Sequence, residues 1–268
     1  MRVFIITMDD PVQTLPFIKK VIEERKDWIV GVAIAKGGRL TTRKNHSKWA
    51  YLLSLLLIMG PLHFAKNSFI TVRYKLVHLL AKIWPAMYIY TFNGWLNKMR
   101  IPVQRIDSAN NPAFLEYLQN IGVDIIINQS QALLKPALLK IPSIGVINRH
   151  NALLPKNRGR LTPFWVLYKG EEETGVSIHF VTEKLDAGDI IVQKKFPVKK
   201  SDTFNTLVKK NYSIAPLAMI EALDKLSMGK TGLLPNKDKF ASYNSTPTLK
   251  EAWKFFLRRL PGATNITN

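Results

Sequence analysis

No cysteine occurs among the 268 residues, and histidine numbers only five. That excludes a disulfide scaffold, thiolate metal sites and a cysteine nucleophile, and no metal is expected to bind. Acid is scarce as well: Asp+Glu number 19 against Lys+Arg 39, a formal net charge of +20. The glycine loops that cradle phosphates are missing, since neither GxGxxG nor GxxxxGK[ST] occurs. Thr7-Met8-Asp9-Asp10-Pro11 follows the first strand instead, and its carboxylates would repel a phosphate, which argues against nicotinamide-cofactor and P-loop chemistry. Trp49 to Ala65 is free of formal charge for about 17 residues, the lower edge of a spanning length, but Gly60-Pro61 interrupts it. The N-terminus, MRVFIITMDD, turns acidic directly after a short apolar run and has no signal-peptide anatomy. A cytoplasmic protein is expected.

What is present is enough for a packed fold: 47% hydrophobic residues and 22% charged. Strands are expected at Val3 to Thr7 and Trp28 to Ala35, with a helix from Asp9-Asp10-Pro11 to about Glu24 between them. From Asp107 onward helices and strands alternate. A helix at Pro112 to Gly122 precedes a strand at Asp124 to Asn128. A short helix at Pro136 to Leu139 precedes strands at Gly145 to Ile147, Gly175 to Val181 and Ile190 to Phe196. A helix capped by Ser201 or Asp202 runs to Met228 and stops at Gly229. Continuous Val/Ile runs alternating with helices imply an α/β fold with a mainly parallel sheet covered on both faces, which binds ligands at the carboxyl ends of its strands. The tail after Lys237 reads as loosely attached, apart from a short helix at Leu249 to Leu257.

The positive charge is unevenly spread. From Trp28 to Ile106 every charged residue is basic: Lys36, Arg39, Arg43, Lys44, Lys48, Lys66, Arg73, Lys75, Lys82, Lys98, Arg100 and Arg105. Such a stretch is either a solvated face or a polyanion-binding surface. It contains two apolar helices, one from Ser47 to Met59 and one from Lys66 to Ile83. On the second, Asn67, Ser68, Thr71, Tyr74, Lys75, His78 and Lys82 form one polar arc. The apolar remainder suits either an anionic membrane surface or a buried core, and both readings stay open.

The chemistry-bearing stretch is Ile147 to Gly159, INRHNALLPKNRG. Asn148 and His150 are two apart, so an extended chain points both the same way. Leu185-Asp186-Ala187-Gly188-Asp189 puts carboxylates in a loop between two strands, within reach of that imidazole. An amide donor, an imidazole and a carboxylate suit amine attack on a carbonyl, although such a trio on loops also serves plain surface hydrogen bonding.

Three strings, Ile147 to Gly159, ETGVSIHFV at Glu173 to Val181, and LDAGDII at Leu185 to Ile191, closely resemble the folate-dependent formyltransferases. The family includes enzymes acting on glycinamide ribonucleotide, on methionyl-tRNA and on nucleotide-linked amino sugars. The resemblance runs from about Asp124 to Met228 and is absent from the basic insert. It implies a Rossmann-like formyl-transfer domain over 1–236, with an insert at 36–105 and a tail at 237–268. It further implies 10-formyltetrahydrofolate as formyl donor and Asn148, His150 and Asp186 as catalytic residues. The donor pocket it implies is lined by Gln129, Ser130, Gln131, Ala132, Leu133 and Leu134, closed by Val181, Thr182, Glu183 and Leu185.

Arg149 departs from the family's usual apolar or small residue; it either binds substrate phosphate or lies exposed. Arg158 is expected to meet an anionic substrate. Asp9 and Asp10 read first as a helix cap, with Asp9 a candidate for an acceptor ammonium. His179, alternating within a strand, reads as a core histidine, and Asp189 as a cap on the next strand. About forty residues follow Met228, too few for the C-terminal barrel of a methionyl-tRNA enzyme, and the glycinamide enzyme's glycine loop is replaced by Asp9-Asp10-Pro11. The expected acceptor is therefore a small anionic amine, foremost an amino sugar on a nucleotide or lipid-linked phosphate. Peripheral membrane contact through 36–105 and a homodimer are further expectations; nucleic acid is disfavoured as a partner.

Overall fold

The first strand, β1 (Val3–Met8), is buried along its whole length, as an apolar run in the middle of a doubly covered sheet must be. The computed structural model describes residues 1–36, 47–229 and 232–259. Arg39, Arg43 and Lys44 of the insert, and the tail beyond 259, lie outside the described residues. After β1 come α1 (Thr14–Arg25), β2 (Ile29–Ala35), α2 (Lys48–Met59), α3 (Pro61–Ile83), α4 (Phe92–Lys98), β3 (Val103–Ile106), α5 (Pro112–Asn120) and β4 (Ile125–Gln129). Then follow α6 (Pro136–Leu139), β5 (Gly145–His150), β6 (Arg158–Gly159), α7 (Thr162–Lys169), β7 (Glu173–Phe180), β8 (Ile190–Pro197), α8 (Phe204–Ser227), β9 (Tyr243–Asn244) and α9 (Leu249–Leu257).

Seven strands form one sheet in the order β3-β2-β1-β4-β5-β7-β8. The pairs from β3 to β5 are parallel, and β7 and β8 add antiparallel. Alternation along β1 sorts its side chains: Val3 and Ile5 join a core with α1 and α8, whereas Phe4 and Ile6 join a core with α5. Each fully buried aliphatic or aromatic side chain contributes roughly 1.5–3 kcal/mol, so the two cores dominate stability. The chain leaves β1 in one direction toward β2 and β3, and β4 and β5 lie on its other side. That reversal opens a crevice at the carboxyl ends of β1 and β4.

The expected strands and the two apolar helices are present, with shifts at their ends. α3 starts at Pro61 rather than Lys66, because proline is tolerated at a helix's first position. α8 is capped by Thr203, whose hydroxyl accepts from Thr206 N, and not by Ser201 or Asp202. Five elements had no clear pattern: β3, a half-exposed strand that takes Arg105 out of the insert and into the sheet, the short helices α4 and α7, and the two-residue strands β6 and β9.

The described part of the tail, to residue 259, is tied down, contrary to expectation. β9 pairs with β6, Trp165 Nε1 donates to Ser245 O at 2.9 Å, and Ala252 and Phe255 of α9 pack with Ile58 and Phe164. Polar composition hid this, because the attachment uses backbone and amide groups. Among the described residues no helix is long and apolar enough to cross a membrane.

Candidate active site

Asn148 and His150 sit at the end of β5, whose partner β4 places Asn128 beside Asn148. Both line the crevice, as their two-residue spacing requires. Asp186 arrives from the β7–β8 loop with a left-handed φ of 48°, a conformation that costs a non-glycine residue about 1 kcal/mol and clusters at functional sites. Its Oδ2 accepts from Gly159 N at 2.9 Å. Gly159 is required there: its φ is 103°, and a Cβ would lie 2.1 Å from Asn244 O.

His150 is buried, and its Nε2 lies 2.7 Å from Asn157 O. A carbonyl only accepts, so Nε2 carries the hydrogen. Nδ1 faces Asp186 Oδ2 at 3.5 Å, ion-pair rather than hydrogen-bond distance. The imidazole is thus aimed by Asn157, a residue the sequence did not single out, while Asp186 supplies the charge opposite Nδ1. His179 is buried, as expected, but is not fully satisfied. Its Nδ1 donates to Phe180 O at 2.7 Å, leaving Nε2 without a hydrogen bond, 3.7 Å from Asp186 Oδ1. Burial pulls its pKa down to about 4, against the opposing pull of Asp186, so this second imidazole is neutral at physiological pH.

The orientation of the Asn148 amide follows from a chain of donors. Arg149 Nε donates to Gln129 Oε1 at 3.0 Å, and Gln129 Nε2 donates to Asn148 Oδ1 at 2.9 Å and Asn128 O at 2.8 Å. A guanidinium has no acceptor, so Gln129 turns its oxygen to Arg149 and its NH2 to Asn148. Asn148 then presents Oδ1 to Gln129, and its Nδ2 donor makes no hydrogen bond to any described residue. Arg149 is held between the rings of Phe17 and Tyr212, at 4.5 and 4.3 Å, and donates to the Tyr212 hydroxyl at 2.9 Å. Neither exposure nor phosphate binding describes it; only its Nη1, buried and without a partner, remains uncommitted.

The segments 129–134 and 181–185 line the same crevice, a cavity of about 490 Å³. Two parts of its wall had no signal in the motifs: Tyr51, Leu55 and Met59 from α2, and Arg160, which donates to Gln131. α2 reaches the crevice only because the insert folds back across the strand ends.

Two expected substrate contacts are placed elsewhere. Arg158 is wholly buried and spends its Nη nitrogens on Asp238 at 2.7 Å, the Tyr243 hydroxyl at 2.6 Å, and Asn236 Oδ1 and O at 2.8 and 3.0 Å. It holds the tail, not a ligand. Arg158→Met is expected to destabilise the protein by roughly 2–4 kcal/mol, since buried Asn236 oxygens lose a charged donor. A denaturant midpoint unchanged by this substitution would contradict that role. Asp9 accepts from Tyr74 and pairs with Arg105 at 3.1 Å, so it is occupied by the insert and by β3. Burial and Asp9 together raise the Tyr74 pKa, keeping the phenol a donor. The helix cap is Asp10 alone, accepting from Val12 N at 3.2 Å and Thr14 N at 2.9 Å. Asp189 is exposed and off the crevice.

The fold and site define an α/β protein with a ligand crevice at the strand ends and an amide, an imidazole and a carboxylate converging there. The formyl transferase family profile matches residues 96–223. Methionyl-tRNA formyltransferase of Thermotoga sp. (strain RQ2) is 36% identical over 155 residues, which cover 58% of this chain and 49% of that protein. The chain therefore spans about half the length of this curated relative. Among solved structures, glycinamide ribonucleotide transformylase 1 from Symbiobacterium toebii superposes with a TM-score of 0.57 at 17% identity, covering 85% of this chain and 88% of that one. The N-formyltransferase from Helicobacter canadensis, in complex with folinic acid and dTDP-3-aminofucose, superposes with a TM-score of 0.55 at 18% identity, over 91% and 71% of the two chains. The likeness to formyltransferases thus rests on residues 96–223, and the fold is that of the solved formyltransferase structures.

Proposed function

We propose that the protein transfers a formyl group from 10-formyltetrahydrofolate to a primary amine of a small anionic acceptor, an amino sugar carried on a nucleotide or lipid-linked phosphate. The observation that carries this reading is the convergence of Asn148, His150 and Asp186 on one crevice walled by 129–134 and 181–185. The crevice suits a flat heteroaromatic donor: Leu134 and Val181 give apolar walls, Gln131 and Thr182 give polar groups, and its volume is within the usual range for small-ligand sites. When bound, 10-formyltetrahydrofolate supplies an activated formyl carbon. Asn148 offers its Nδ2 hydrogens to negative charge developing on a carbonyl oxygen. His150 holds or releases a proton at Nδ1, and Asp186 stabilises the charged imidazole. Asp186 also offers an oxygen toward the amine's departing proton. Arg160, in the crevice wall, is a cationic group for the acceptor's phosphate.

A small acceptor fits a crevice already narrowed by α2, and the Helicobacter canadensis enzyme holds such a sugar. A large acceptor is the second reading, favoured by the 36% identity to a methionyl-tRNA formyltransferase. Calorimetric titration with folinic acid tests the donor site first. Saturable binding, abolished by Gln131→Trp, is expected; a folded wild type that ignores folinic acid would end the proposal. Nucleotide-linked amino sugars and methionyl-tRNA, supplied in parallel with the donor, then separate the two acceptors.

A further inference from the structure

The 23-residue helix α3 carries no buried residue, although it is rich in large apolar side chains. Leu62, Phe69, Val72, Leu76, Leu79 and Ile83 are all exposed, from 51% at Leu76 to 84% at Leu62. At 100° per residue these six share an arc of about 100°, and they run about 30 Å along the axis. Lys66 and Arg73 lie along one edge of the stripe, and Lys75 and Lys82 along the other. The opposite side of the helix is the polar one. Asn67, Thr71, Tyr74 and His78 are turned toward the protein, where Asn67 meets Met59 and Tyr74 reaches Asp9. A water-facing helix has the reverse arrangement. Past its end, Trp84, Ile89 and Tyr90 extend the exposed apolar surface with aromatic rings.

We infer that the outer face of α3, continued by 84–90, seats the protein on an anionic lipid surface. Three features select lipid over other occupants. The apolar stripe lies between two basic edges, so lysine and arginine stems cover apolar surface while their heads reach headgroups. No acidic residue occurs from Trp28 to Ile106, so two copies packed stripe to stripe would bring like charges together. Aromatic residues of this kind favour the membrane–water interface. The helix rests on the surface rather than crossing it, consistent with the four basic residues along its length. Met59, in the crevice wall, and Gly60 connect directly to α3, so docking brings the crevice to the lipid surface. The inference does not rest on which amine accepts the formyl group.

Vesicle co-sedimentation tests it, using phosphatidylcholine vesicles with and without 30% phosphatidylglycerol. The wild type is expected to bind the anionic vesicles, to bind neutral ones far more weakly, and to be released by high salt. Each basic side chain near such a surface strengthens binding roughly fivefold, so Arg73→Glu with Lys75→Glu should weaken it by well over tenfold. Phe69→Ser with Leu76→Ser, which removes only apolar area, should weaken it at low salt as well. Both variants change exposed residues away from the crevice, so retained folinic acid binding or an unchanged melting transition shows that they fold. Failure of the wild type to sediment with anionic vesicles at low salt overturns the inference. So does binding that neither variant reduces. A concentration-dependent dimer by light scattering, lost in the apolar variant, would instead assign the face to a second copy.

Discussion

His150→Ala is expected to lower the rate of formyl transfer by about 10²–10⁴, the usual contribution of a positioned acid–base group. Folinic acid binding should survive, because the segments 129–134 and 181–185 reach the crevice independently of the imidazole. The ring is held by Asn157 O on one side and faces Asp186 on the other, so its loss leaves Asp186 without the imidazole it faces. Single-turnover release of tetrahydrofolate in the presence of acceptor measures the effect directly. Added imidazole, small enough for the vacated space, should restore part of the rate. A variant that transfers formyl groups at the wild-type rate would remove His150 from the mechanism and with it the role proposed for Asp186. A variant that loses folinic acid binding as well would show that the ring serves the pocket's architecture instead.

Gln129→Glu has nearly the same shape as the wild type and is expected to be about as damaging as deleting an oxyanion donor, a loss of roughly 10²–10³ in kcat. Gln129 is the link between Arg149 and Asn148. A carboxylate in its place still accepts from Arg149, and gains a charge-assisted bond in doing so. Toward Asn148, however, it has an acceptor where the wild type has a donor. Asn148 then turns its NH2 to the new carboxylate and its oxygen to the crevice, where developing negative charge would be repelled. The expected signature is a fall in kcat with little change in KM for the donor and a modestly lowered melting temperature, because the Asn128 carbonyl loses its donor. Gln129→Met removes the dictated orientation without reversing it and should cost less, roughly tenfold. Equal kcat for wild type and Gln129→Glu would show that the amide's direction is set by the ligand and not by Arg149.

That Asn148 and His150 face one crevice was legible because that geometry is local. Two residues apart on a strand means one side of the sheet, and the family's order of motifs supplies the carboxylate. The segments 129–134 and 181–185, which line the same crevice, were pointed to by the resemblance and not by local geometry. Residues whose partners are far along the chain were not legible. Arg158 carries the same charge whether it meets a ligand or the tail, and only the pairing of 158–159 with 243–244 decides which. Arg149 alternates away from Asn148 along the chain, yet it controls that residue through Gln129, 20 positions earlier. His179 read as a satisfied core histidine and is buried, but it lines the crevice with a bare Nε2 beside Asp186, which depends on where the β7–β8 loop turns back. Asn157 and Arg160 sit within or beside the recognised string and still gave no sign of their tasks.

From sequence alone came six of the seven strands of the sheet, its longer covering helices and the helix break at Gly60-Pro61, because hydrophobic periodicity and the limits of proline and glycine act within a few residues. Residue identity and spacing left the trio open between carbonyl chemistry and plain surface hydrogen bonding, and the resemblance to the formyltransferases pointed to the former. Tertiary structure decided which charged groups remain for ligands, since that depends on every competing partner brought near by folding. It placed α2 across the crevice and tied the tail through Arg158. It also settled which side of α3 faces out. An amphipathic wheel is the same whether its apolar side is buried or bare, and only the packing of Asn67 and Tyr74 against Met59 and Asp9 turned the apolar stripe outward.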